Sequence, residues 1–186
     1  TTPLRALSGL FVAASLFNSL AAPCAALDSW TRFLGADQNN TIKDAPKLPV
    51  QWDAQKNLKW RTELPGEGWS SPLVADGTIW MTTATEEGRS LRALAVDYQT
   101  GKLLKDIEVF HLEAAPVKHR RNSYASPTGL LSGGRFYVHF GTHGTAALDA
   151  KSGQILWKQQ TLKVDHQNGA GGSLTEFGNL LLIPCD

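Results

Sequence analysis

Short runs of apolar residues, alternating with polar neighbours and closed by Gly-containing turns, return along this chain roughly every fifty residues. Ser71-Pro72-Leu73-Val74-Ala75-Asp76-Gly77-Thr78-Ile79-Trp80 is answered by Ser126-Pro127-Thr128-Gly129-Leu130-Leu131-Ser132-Gly133-Gly134-Arg135-Phe136-Tyr137. A third start stands at Ser173–Leu182. The alternation predicts strands over Ser71–Ala75, Thr78–Thr83, Ser90–Val96 and Leu103–Val109 in the first unit. In the second it predicts Ser126–Leu131, Arg135–Phe140, Thr145–Leu148 and Gln154–Gln159. Asp76-Gly77 and Gly133-Gly134 supply hairpin turns that need positive φ.

A second signature closes two of the units: Ala95-Val96-Asp97-Tyr98-Gln99-Thr100-Gly101 and Ala147-Leu148-Asp149-Ala150-Lys151-Ser152-Gly153. The Asp carboxylate is placed to accept N–H groups of the residues after it, which makes Asp97 and Asp149 turn-builders rather than a catalytic pair. Trp157 follows the second turn and is expected to lay its ring against a neighbouring blade; Lys105 holds the equivalent place in the first unit. Four short antiparallel strands per unit, stacked in tandem, predict an all-β fold, a β-propeller of four-stranded antiparallel blades. Closed propellers use about four to eight blades. About two and a half are expected here, as a partial propeller read as a piece of a longer protein.

The first part of the chain of 186 residues stands outside this rhythm. Arg5, an interrupted apolar stretch through Leu20 and small residues around Pro23 predict a signal peptide over residues 1–26, cleaved after Ala26. The stretch is short for a bilayer, so no membrane span is expected after cleavage, and the mature protein is expected to be periplasmic or otherwise exported. Residues 27–65 form a lead-in punctuated by Gly35, Asn39, Asn40, Pro46 and Pro49, ending in a predicted strand of a closing blade over Asn57–Leu64. The blades are expected over 66–110 and 122–160, with a half blade over 169–186.

Charge and cysteine narrow the function classes. The chain carries 18 Lys and Arg against 17 Asp and Glu, and removing the signal takes away Arg5 alone. This balance gives no electrostatic ground for a nucleic-acid partner. Only Cys185 would remain beside the lost Cys24, so no internal disulfide is expected despite export.

Asp149–Trp157, read as Asp-x-x-Ser/Thr-Gly-x-x-x-Trp, resembles the PQQ-like β-propeller repeat found in quinoprotein alcohol dehydrogenases and in BamB-type outer-membrane assembly lipoproteins. Trp30-Thr31-Arg32-Phe33-Leu34-Gly35, Leu48-Pro49-Val50-Gln51-Trp52 and Trp60–Gly66 are similar to the opening of exported planctomycete-type members. The resemblance covers residues 30–186 and implies architecture more than activity. Under a quinoprotein reading, PQQ and calcium would be expected, held by an adjacent Cys pair, a stacking Trp and carboxylate or amide ligands, with a catalytic Asp. No adjacent Cys pair occurs, and no motif here matches the calcium ligands or that Asp.

The loops before the inner strands are expected to gather at one mouth of the central channel. They are Gly66–Trp69, Arg120–Tyr124 and Asp165–Gly169, and they nominate Arg121, Asn122 and His166 as ligand-binding rim residues. His111 and His119 lie in the longest connection without a matched ligand set, and His139 and His143, four apart on a strand end, lack the helical spacing that would aim both at one metal. No Gly-x-Ser-x-Gly elbow occurs, and Gly169-Ala170-Gly171-Gly172 lacks the Lys-Ser/Thr and helix of a phosphate loop. These features predict a non-catalytic exported module that binds a protein or polysaccharide, with no visible cofactor. The alternative is a piece of a PQQ-dependent oxidoreductase whose active-site residues lie outside this segment.

Overall fold

The computed structural model describes residues 29–42 and 49–185; the expected signal peptide, residues 1–26, lies outside them. The first blade is a meander of β1 (Leu73–Ala75), β2 (Thr78–Thr85), β3 (Ser90–Asp97) and β4 (Leu103–His111), antiparallel in the order β1-β2-β3-β4. The second repeats it with β5 (Leu130–Ser132), β6 (Arg135–His139), β7 (Thr145–Asp149) and β8 (Ile155–Gln159). A third sheet pairs β9 (Thr175–Phe177) with β10 (Leu180–Leu182). The protein is an all-β propeller chain with two complete blades and a two-stranded third sheet among the described residues. No helix of these residues is long and apolar enough to cross a membrane.

Turn chemistry fixes the registers. Asp76 and Gly77, with φ of 48° and 72°, and Gly133 and Gly134, with 55° and 71°, are both tight turns with two positive φ angles, whose twist matches that of the flanking strands. The other repeated turn is closed from within. Asp97 Oδ1 accepts from the N–H of Gln99 and Thr100 and from the Thr100 hydroxyl; Asp149 Oδ1 accepts from the N–H of Lys151 and Ser152 and from the Ser152 hydroxyl. These donors hold both carboxyls below their usual range, the Thr100 side chain contributing most at Asp97 and the Ser152 N–H most at Asp149.

The inner strands are shorter than the alternation predicts. Ser71 donates its N–H to Thr128 Oγ1, and Thr128 in turn donates to Ser173 Oγ, so these lead-ins bind sideways to the next unit instead of along a ladder. Pro72 and Pro127 have no N–H to offer one. A larger difference concerns Asn57–Leu64, which forms no strand. It pairs with no strand among the described residues, and its alternation reflects the part-buried side chains of Trp60, Thr62 and Leu64. Trp60 Nε1 donates to Tyr98 O, and Thr62 Oγ1 donates to Gly101 O. The Trp60 ring covers Gly101 so closely that a Cβ there would lie 2.5 Å from it.

The core lies between the two blades. Trp80 of β2 meets Phe136 of β6 with ring centroids 4.8 Å apart, and Phe110 of β4 meets Phe140 edge-on at 6.1 Å. Around them Leu73, Leu91, Val109, Val138 and Leu148 are wholly buried. Trp157 instead lies 41% exposed and tilts against Tyr137 of its own sheet at 6.2 Å. The lead-in segment crosses the innermost strands: Trp30 exchanges two backbone hydrogen bonds with Val74, Thr31 O accepts from Leu131 N, and Arg32 pairs with Glu176 at 2.6 Å.

Candidate functional site

Antiparallel topology sends the β2–β3, β4–β5, β6–β7 and β8–β9 connections to one end of the blades and the tight hairpin turns to the other. At the connection end, the loops before the inner strands are tied together. The N–H groups of Trp69 and Ser70 donate to Ala125 O, and His119 N donates to Asn168 O. Asn122 completes the tie, giving its Nδ2 to Asn168 O at 2.8 Å and to Ala170 O at 3.3 Å, while its Oδ1 accepts from Ser123 N and Ser126 Oγ.

The three nominated rim residues therefore take different roles. Asn122 is occupied in joining two loops. Arg121 is exposed, its backbone N–H bonded to His119 Nδ1. His166 is half-buried over Gly141, where a Cβ would come within 2.9 Å of its ring. Gly141 has φ of 60° and opens the 3-10 turn Gly141–His143.

A depression of about 200 Å³ lies at this junction, lined by Phe140, Thr142, His143, Asp165 and His166 among others. Beneath it His139, 2% exposed, sets Nδ1 against Thr145 Oγ1 at 2.8 Å, and its Nε2 has no hydrogen-bond partner among the described residues. Burial, reinforced by the nearby His166, pushes the His139 pKa down to about 4. Burial lowers His143 as well, with Lys163 and His166 adding to it. The junction thus offers imidazoles, a hydroxyl and a carboxyl group, groups that hydrogen-bond amides or sugar hydroxyls. Thr142, His143 and Asp165 were not nominated from sequence; only the fold brings the β6–β7 turn under the later loop.

The repeat, the Asp-anchored turns and the blade order decide the family. Residues 30–177 match the PQQ_2 family, described as outer membrane protein assembly factor BamB. This chain belongs to the BamB-type PQQ-repeat family. No curated protein sequence matches it. Among solved structures, it is similar to the quinohemoprotein alcohol dehydrogenase ADHIIG of Pseudomonas putida HK5, at 21% identity and a TM-score of 0.46 over 67% of this chain and 17% of that one. It is also similar to BamB from Moraxella catarrhalis, at 17% and 0.46 over 67% and 33%, and to a europium-containing methanol dehydrogenase, at 17% and 0.40 over 60% and 19%. The chain spans between 17% and 33% of the length of these three proteins.

A quinoprotein reading would require ligands for PQQ and calcium. Among the described residues no three His, Cys, Asp or Glu side chains converge as a metal would need, and the free cysteine is the exposed Cys185 alone. Asp97 and Asp149, two carboxylates in repeated positions, spend Oδ1 on their own turns.

Proposed function

We propose that this protein is a non-catalytic, exported binding module that holds a protein partner on its connection-end face. The observation that carries this reading is the interlocking of the rim loops through Ala125 O, Asn168 O and Asn122, which makes a preorganised platform of segments that would otherwise move independently. On it stand the exposed Trp69, the exposed Arg121 and the His143–Asp165–His166 depression, an aromatic and a cationic anchor beside hydrogen-bonding groups. The family description, an outer membrane protein assembly factor, supports a protein over a polysaccharide as that partner.

The test is photo-crosslinking of the full-length protein in its own cells, with a photoreactive residue at position 69 or 121 and, for comparison, at Lys102 on the opposite end. Adducts with one or a few envelope proteins from 69 and 121 but not from 102 are expected. Adducts with glycan alone would replace the partner class. Alcohol oxidation by the purified protein that depends on added PQQ and Ca²⁺ would overturn the non-catalytic reading.

A further inference from the structure

The hairpin end of the two blades carries a second, larger opening that the platform does not use. A cleft of about 670 Å³ runs along the boundary between the blades, from Leu131 of β5 near the axis to Leu104 and Lys105 of β4 at the periphery. Four strands side by side make three spacings of about 4.8 Å, or about 14 Å, which an extended segment of about four residues covers. The floor is apolar: Trp80, Leu131 and Ala75 line the inner part, and Ala150 and Leu104 the outer part.

The polar groups along it are mostly of one sign. Lys105, Arg135 and Lys151 line the cleft against one carboxylate, Asp76. Lys105 Nζ donates to Ser152 O at 3.0 Å, which fixes the ammonium at the cleft wall and leaves its other N–H groups available. Neither Arg135 nor Lys151 forms a salt bridge among the described residues. Asp149, which stands opposite Arg135 in the β6–β7 register and whose charge Lys151 offsets, has Oδ1 filled by the N–H and hydroxyl donors of its turn. At the mouth, Gly133 and Gly134 leave open space where side chains would stand.

We propose that this inter-blade cleft binds a short acidic peptide segment, an apolar side chain seated over Trp80 and Leu131 and carboxylates meeting Arg135, Lys151 and Lys105. An apolar floor alone would take any greasy segment; the three cations set in its walls select one that carries negative charge. The open, strand-length shape suits an extended chain rather than a compact molecule.

The experiment uses the full chain and a fluorescein-labelled hexapeptide with one tryptophan and three aspartates, followed by anisotropy. Versions with asparagine for aspartate and with alanine for tryptophan serve as comparisons. Expected results are binding that weakens at least tenfold with either comparison peptide and falls as salt rises from 50 to 500 mM, as screening requires (about 14 and 4 Å Debye lengths). Arg135→Glu with Lys151→Glu should abolish binding of the aspartate peptide and create binding of a lysine counterpart. Both positions are exposed, and unchanged circular dichroism and thermal midpoint would establish that the variant folds. Equal affinity for the asparagine peptide, no binding of the aspartate peptide, or loss of binding on Arg121→Glu but not on the cleft variant would overturn the proposal.

Discussion

Gly153 shows how much one position can carry. Its φ is 84°, and a Cβ there would stand 2.8 Å from Ile107 Cδ1 and 3.0 Å from Lys105 Cδ on the preceding blade. Gly153→Val therefore meets both backbone strain and a collision, and it should cost on the order of 2–4 kcal/mol by denaturant unfolding. His143→Ala, at a half-buried loop position, should cost under about 1 kcal/mol in the same measurement. His139 makes a separate prediction about pH. Its folded pKa of about 4 lies below an unfolded value near 6.5, so the unfolded chain binds the proton first on acidification. The stability tied to the neutral ring is present above pH 6.5 and is lost as pH falls toward 4. Urea midpoints should show the protein about 2 kcal/mol less stable at pH 5.0 than at 7.5, with His139→Leu flattening the difference. Asp97 and Asp149, whose carboxyls are held below their usual range, stay ionised over that interval.

Elements dock to elements through a few such side chains. Trp60 caps the Asp97 turn with both its ring and its N–H, whereas Trp157 touches Tyr137 and is 41% exposed. Trp60→Ala should lower stability by about 2–3 kcal/mol and Trp157→Ala by about 1 kcal/mol or less, compared by chemical unfolding. Asn122→Ala should leave the blades intact but speed hydrogen exchange of residues 166–172, since it removes the side-chain link to Asn168 O and Ala170 O. Blade strands and Asp-anchored turns were legible in the sequence because each is a local device: the Asp97 carboxylate binds donors two and three residues away. The role of Asn57–Leu64 was only half legible, because alternation reports which side chains are covered, not whether a ladder lies alongside. The His139–His143–His166 grouping was not legible at all, since Gly141 turns two of these residues under a loop far along the chain.

At the scale of the molecule, the two blades are one cooperative body because their cores are shared. Phe136 is wholly buried against Trp80 across the blade boundary, and Phe136→Ala should cost about 3–5 kcal/mol. The loss should appear as one shifted transition seen identically by tryptophan fluorescence and by far-ultraviolet circular dichroism. Two separated transitions would mean that the blades unfold independently.

The thread through the hub sets a timetable for biosynthesis. Trp30 waits for Val74, Thr31 for Leu131, and Arg32 for Glu176, which follows it by 144 positions. At ribosomal speeds of about 5–20 residues per second, that last partner emerges about 7–30 s after Arg32 does. A newly made chain thus holds finished spokes around an unfastened axle, and the arrival of Glu176 decides when the axle is pinned.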